Sequence, residues 1–318
     1  MGVWRWQTEG EITVNVRNWA ETRMFFAYLR ITPVSDLPTP NYLYAMIAYP
    51  HAKINFGLNV VSKREDGYHN LETVFFPIQW CDILELLPGP QHSKGIEVHM
   101  SGLPVAGKHA DNLCVKAYEL LRKNYSVRAV KLYLHKQIPM GAGLGGGSSD
   151  AAFFVKKMNA LFSLGISDDE MRSLVMQLGS DCAFFIDGKP VYAEERGDKF
   201  TPIDFTLKGH HIVVVYPNIH VATATAFANI QPAAPEFNCR DIVTKHPMSN
   251  WKNLLFNDFE KTVFKAHPEI EAVKNKLYDA GAVYASMSGS GSAVYGIFTS
   301  LPEISTTFGS AQKVVLSL

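Results

Sequence analysis

The sequence predicts a protein of mixed α and β structure in two domains, on three observations. The chain has 318 residues, enough to bury a large core and long enough that a division into two domains is expected. A strand-like run, Val130-Lys131-Leu132-Tyr133-Leu134, leads through a glycine loop into a helix-forming run, Ala151-Ala152-Phe153-Phe154-Val155. A second glycine turn, Ser288-Gly289-Ser290-Gly291, lies between two further strand-like segments, 283–287 and 293–298.

The first 45 residues differ from the rest. Arg5, Arg17, Arg23 and Arg30 are matched by Glu9, Glu11, Glu21 and Asp36, whereas transit peptides avoid acidic residues. Ile12, Val14 and Val16 alternate with polar residues and predict an isolated strand or hairpin, and Pro33, Pro38 and Pro40 make a linker-like stretch. Residues 1–45 are therefore expected to be an extension with no part in catalysis.

From Met46 the pattern changes. Residues 50–61 alternate apolar with polar, which predicts a strand with one buried face, Lys53 and Asn55 lying opposite Ile54 and Phe56. A lone Lys on such a strand is ordinarily solvated. Asp66-Gly67 signals a tight turn before a second alternating run to Ile78, and Tyr68 and His69 follow that turn. Asp111-Asn112-Leu113 opens an amphipathic helix to Leu121, with Asp111 expected as its N-cap.

The glycine loop comes next. Five of the seven residues 141–147 are glycine, a composition unsuited to a strand or helix interior. Ser148-Ser149-Asp150 then supply hydroxyl or carboxylate caps for a helix starting near Ala151. Strand, glycine loop and helix N-terminus together hold phosphate: N–H groups converge, no Cβ blocks the approach, and the positive end of the helix dipole faces the anion. The loop is not a Walker A loop, since no Lys follows the glycines. Gly141, Gly143 and Gly146 satisfy G-x-G-x-x-G, so a dinucleotide-binding oxidoreductase is one alternative. The acid such a site wants falls in Asp168-Asp169-Glu170, however, where a helix running to about Leu178 begins.

Leu178-Gly179-Ser180-Asp181-Cys182 carries a single acid beside a glycine, which as an isolated feature would cap the next turn. Residues 196–202 have the look of a turn between domains. His211-Ile212-Val213-Val214-Val215-Tyr216 is a buried strand, and the second domain is placed to begin just before it. Phe227, as an aromatic, is a core residue on the plainest reading. Residues 268–280 predict a helix with Pro268 in its first turn and Gly281 at its end.

Bulk composition excludes some classes. Lys plus Arg is 30 and Asp plus Glu is 30, so overall charge gives no case for nucleic acid or an anionic membrane. No apolar run reaches the roughly 18 residues of a membrane span. Cys81, Cys114, Cys182 and Cys239 form no C-x-x-C pair, which fits reduced thiols in a cytosol.

The string P-M-G-A-G-L-G-G-G-S-S-D-A-A at 139–152 resembles the phosphate-loop signature of the GHMP small-molecule kinases. P-x-A-K-I-N at 50–55 and R-x-D-G-Y-H-x-L at 64–71 resemble one branch of that superfamily, whose substrate is a cytidylyl methylerythritol of the methylerythritol phosphate route to isoprenoids (terpenoids). M-S-G-S-G at 287–291, with Tyr295 near its aromatic position, is similar to the third GHMP motif. The resemblance runs from Met46 to about Gly296; the long leader and a short C-terminus depart from it.

The resemblance implies an α+β GHMP kinase fold: an N-terminal ATP-binding domain like ribosomal protein S5 domain 2 at 46–205, and a ferredoxin-like C-terminal domain at 206–318. The active site would lie in the cleft between them. It implies that Pro139, Met140, Gly141, Ala142, Gly143, Leu144, Gly145, Gly146, Gly147, Ser148 and Ser149 bind ATP, with Ser288, Gly289, Ser290 and Gly291 folded against that loop. Asp181 would accept or orient the proton of the substrate's 2-hydroxyl, and Lys53 would balance charge on the transferring phosphoryl. Asn55, Tyr68, His69, Thr223 and Phe227 would bind substrate, Tyr68 and His69 holding the cytosine by stacking and hydrogen bonds. Mg²⁺ would accompany ATP, with no protein ligand assigned. The expected protein is a cytoplasmic monomer or weak homodimer whose partner is a small molecule. Another GHMP kinase, for mevalonate, homoserine or a sugar, should lack Asp66-Gly67-Tyr68-His69; a non-catalytic sensor of this fold should lack Lys53 or Asp181.

Overall fold

Three four-stranded sheets organise the residues that the computed structural model describes, which are 46–318 apart from 91–92, 106, 228–229, 305–307 and 310. The expectations for the leader lie outside the described residues. The described residues all fall in one compact unit. The elements that matter below are, in chain order, β1 (Met46–Ala48), β2 (His51–Lys63), β3 (His69–Cys81), β4 (Ile83–Pro88), β5 (Ile96–Gly102), α1 (Leu113–Asn124), β6 (Val130–Lys136), α2 (Gly146–Phe162) and α3 (Asp168–Met176). They continue with β7 (Val191–Glu195), β8 (Lys199–Pro202), β9 (His211–Tyr216), α4 (Cys239–Lys245), α5 (Phe259–Ala266), α6 (Pro268–Asp279), β10 (Tyr284–Met287), β11 (Val294–Phe298) and β12 (Gln312–Ser317).

The first sheet runs β1-β4-β6-β5, with β5 parallel to β6. Its apolar face, Leu84, Leu86, Leu132 and Leu134, packs in one cluster with Tyr118 of α1 and Phe154 and Val155 of α2. The second sheet runs β2-β3-β7-β8 and the third β10-β11-β9-β12. In β9 the β-branched run separates cleanly by face. Ile212 and Val214 join Phe56, Phe76, Tyr284 and Tyr295 in a second cluster. Val213 and Val215 join Phe259, Ile270 and Leu277 from α5 and α6 in a third.

Four expectations need correction. β2 is buried on both faces as far as Leu58: Lys53 and Asn55 are 3% and 2% exposed, because they hydrogen-bond each other rather than water. Helix α1 is capped by Asn112, whose side chain accepts the Cys114 N–H at 2.8 Å. Asp111 instead closes a preceding 3-10 turn and accepts from the Lys108 N–H. Helix α2 begins at Gly146, five residues before the expected start, behind a left-handed Gly145 that provides no side-chain cap. Ser148, Ser149 and Asp150 therefore lie within the helix rather than ahead of it. Residues 196–198 turn a hairpin between the paired strands β7 and β8, so that turn belongs to a sheet.

Candidate active site

Lys53 lies deep and Asp181 lies at the surface of the same spot. The Lys53 backbone N–H donates to the Leu144 carbonyl at 3.0 Å, which lays the glycine loop along β2. Its ammonium donates to Asn55 Oδ1 at 2.6 Å, stands 3.4 Å from Asp181 Oδ2 and sits 4.8 Å from the Phe75 ring centre. Burial pushes the Lys53 pKa below its usual value, and the Asp181 carboxylate pulls the other way. Asp181 comes from a 3-10 turn, Ser180–Ala183, whose start has no side-chain cap. The capping role is therefore not what holds it. A carboxylate one-third exposed, beside a buried cation, can meet a solvent-borne hydroxyl while its charge is balanced from behind.

The two glycine turns touch. The Ser288 hydroxyl donates to the Gly143 carbonyl at 2.8 Å and lies 3.4 Å from Asn55 Oδ1. The Ala293 N–H donates to the Ala142 carbonyl at 3.1 Å. Gly143, at φ +77°, passes so close that a Cβ there would stand 1.9 Å from the Ser288 carbonyl oxygen; only glycine permits this approach. Tyr295 donates to the Asn55 carbonyl at 2.7 Å from beneath. The first intrahelical bond of α2 from this end is Ser149 N–H to the Gly145 carbonyl. The N–H groups of Gly146, Gly147 and Ser148 are thus the helix's unpaired donors, an anion site by construction.

The expected substrate residues divide. The His69 and Phe227 rings stack, centroids 5.0 Å apart and 18° between planes, and Phe227 meets Phe259 edge-on. Thr223, which opens the short helix Thr223–Phe227, is 3.2 Å from the Ser290 hydroxyl, so this segment meets the second glycine turn. Tyr68 is 58% exposed, with the Arg196 guanidinium 4.9 Å from its ring. Asn55 belongs with Lys53 and, through its Nδ2, donates to Thr73 at 3.0 Å.

One group beside the loop has no counterpart in the sequence reading. Lys136, where β6 ends, makes buried ion pairs with Asp82 and with Asp150, the latter at 2.6 Å. Asp82 Oδ1 also accepts the N–H groups of Gln137 and Ile138 at 2.6 and 2.9 Å. The triad ties the residues that enter the glycine loop to the first turns of the helix that leaves it. Asp150 stood inside the recognised string, but its partners are 68 and 14 positions away, and no local pattern marks them. Among the described residues no group of three or more His, Cys, Asp or Glu side chains could hold a metal, and no helix is long and apolar enough to cross a membrane.

Family models described as GHMP kinases N terminal domain and GHMP kinases C terminal match residues 112–189 and 239–314. A 4-diphosphocytidyl-2-C-methyl-D-erythritol kinase of Bacteroides fragilis is 50% identical over 254 residues, covering 80% of this chain and 92% of the relative. The chain belongs to the GHMP kinases. A kinase of the same description from Cytophaga hutchinsonii is 49% identical, covering 81% of this chain and 94% of the relative. Among solved structures, a 4-(cytidine 5'-diphospho)-2C-methyl-D-erythritol kinase superposes with a TM-score of 0.67 at 30% identity, over 79% of this chain and 89% of that one. A homoserine kinase from Cytophaga hutchinsonii superposes with a TM-score of 0.62 at 16% identity, over 88% of this chain and 96% of the other, a likeness of fold alone. The architecture is the two-domain, mixed α and β fold of the GHMP kinases.

Proposed function

We propose that this GHMP kinase transfers the γ-phosphoryl group of ATP to the 2-hydroxyl of 4-diphosphocytidyl-2-C-methyl-D-erythritol, within the methylerythritol phosphate route to isoprenoids. The observation that carries the reading is the Lys53–Asp181 pair, 3.4 Å apart, beside two glycine turns in contact. Relatives close to half identical bear that kinase's name, and Asp66-Gly67-Tyr68-His69 is the motif expected for that substrate and not for mevalonate, homoserine or sugars.

On this reading the N–H groups of 146–148 and the loop 139–149 hold the triphosphate, and 288–291 close over it. Asp181 receives or steers the proton of the attacking hydroxyl, help worth roughly 10²–10⁴-fold. Lys53 offsets charge gathering on the transferring phosphoryl oxygens, and Asn55 keeps its ammonium aimed. Phosphoryl transfer needs in-line placement more than covalent chemistry, so the rigid β2–glycine loop junction is itself part of the catalysis. His69 and Phe227 hold the cytosine, with Tyr68 and Thr223 at its margin. Mg²⁺ would accompany ATP, with no protein ligand assigned, and would supply charge neutralisation there. The side chains present fit an ion carried by phosphate and water, since among the described residues no group of three or more His, Cys, Asp or Glu could hold it.

Residues 46–205 would then form the nucleotide domain and 206–318 the C-terminal domain, with the leader outside both. The enzyme would work in the cytoplasm as a monomer or weak homodimer without nucleic acid. An ATP-consumption assay against the cytidylyl methylerythritol compound, mevalonate, homoserine and galactose tests the reading. Turnover confined to the first is expected; preference for another acceptor overturns the substrate assignment, and no turnover on any overturns the kinase.

A further inference from the structure

The second glycine turn is held from behind by one side chain outside every recognised motif. Asn257 is 2% exposed. Its Nδ2 donates to two carbonyls of the turn, Met287 O and Gly289 O, both at 2.8 Å, and its Oδ1 accepts the Phe259 N–H at 3.0 Å. The Phe259 N–H fixes which end of the amide is which, because it must face an oxygen. The two carbonyls bracket Ser288, the residue whose hydroxyl reaches the Gly143 carbonyl of the phosphate loop. No other short side chain offers this set: Asp has no donor for the carbonyls, Ser has one, and Gln is longer by a methylene.

The segment carrying Asn257 is also fastened to the catalytic strand. The Leu58 N–H donates to the Phe256 carbonyl and the Asp258 N–H to the Leu58 carbonyl, each at 2.8 Å, and the Val60 N–H donates to Asp258 Oδ2 at 2.9 Å. Residues 256–258 thereby lie alongside β2, the strand that carries Lys53 and Asn55, in a single parallel bridge between Asn257 and Leu58. From the other side of the turn, Glu260 accepts the Met287 N–H at 2.8 Å and is itself paired with Lys274 at 2.6 Å.

We infer that Asn257 is a positioning residue, one that sets the second glycine turn against the phosphate loop and references both to the strand bearing Lys53. It touches no reacting atom. Its effect runs through the Met287–Gly289 carbonyls to Ser288, and from there to Gly143. The nucleotide consequence rests on the reading of the loops as an ATP site; the structural consequence does not.

Two measurements separate these. In ligand-free protein, amide hydrogen exchange in a peptide spanning 287–293 should rise at least tenfold in Asn257→Ala, with β9 and α2 unchanged. In steady-state assays the same variant should raise the KM for ATP about tenfold while the KM for the acceptor stays within about twofold. Asn257→Ala and Ser288→Ala should be non-additive, since both release the same contact. If Asn257→Ala does not fold, Asn257→Ser, which keeps one donor, should give a smaller shift of the same kind. Unaltered exchange at 287–293 in a folded variant overturns the inference, as does additivity with Ser288→Ala. Faster exchange at 287–293 in Asn257→Ala, together with a wild-type protein that neither binds nor consumes ATP, would leave the positioning role standing and overturn the nucleotide reading instead.

Discussion

Lys53 Nζ and Asp181 Oδ2 stand 3.4 Å apart, yet the lysine side chain is 4% exposed and the aspartate 32%. The cation is fixed by Asn55 and the Phe75 ring, so the carboxylate is the member free to meet a ligand. Asp181→Asn keeps the shape and removes the base. We expect kcat to fall roughly 10²–10⁴-fold, with both KM values within several-fold of wild type. Steady-state kinetics checks this; unchanged turnover removes Asp181 from the chemistry.

Gly143 and Gly165 make a matched pair for testing the contact between the turns. Both have positive φ, +77° and +69°, but a Cβ at Gly165 meets nothing within 4 Å, while one at Gly143 meets the Ser288 carbonyl at 1.9 Å. Gly165→Ala bears the conformational cost alone, about 1–2 kcal/mol, and should leave ATP affinity untouched. Gly143→Ala must also push a backbone carbonyl aside, so its loss of stability should be larger and ATP affinity should fall with it. Thermal melts and ATP titration of both variants decide the matter. Equal losses in the two would mean the turns are free to separate.

His69 and Phe227 form the stack at the proposed base-binding end, 5.0 Å between centroids. His69→Ala removes one plate and its ring nitrogens. The KM for the cytidylyl substrate should rise about tenfold or more, that for ATP less than twofold, given the cost of leaving a base without its hydrogen-bond partner. Matched changes in both KM values would make His69 a structural residue.

The parts legible in the sequence were those written as contiguous strings: Lys53 and Asn55 in one strand, the loop 139–149, Asp66–His69 and Ser288–Gly291. What escaped was set by contact between distant residues. The double burial of β2 was hidden because Lys53 and Asn55 are polar by composition and find their partners in each other, in Thr73 and in the distant Asp181. The start of α2 was hidden because Gly146 and Gly147 are poor helix formers, and tertiary packing overrode propensity there. Asn257 and the Asp82–Lys136–Asp150 triad carried no periodicity.

That triad gives the pH prediction. Burial is the main cause that raises Asp150, to about 7, with Lys136 opposing and Asp82 adding to the rise. Burial lowers Lys136, but the two carboxylates outweigh it and leave it above its usual value. Below pH 7 the folded chain therefore keeps a proton on Asp150 that the unfolded chain gives up above about pH 4. Its contribution to stability falls as pH rises through that window, by up to about 1.4 kcal/mol per pH unit. Asp150→Asn fixes the neutral form and should remove this slope, so the variant gains on wild type between pH 4 and 7 and then runs parallel to it. Lys136→Met leaves two buried carboxylates facing each other and should cost about 3–5 kcal/mol at pH 8. The loss should shrink as the solution is acidified. Urea melts of the three proteins at several pH values measure both effects, and parallel stability curves throughout would show that Asp150 is ionised across the range.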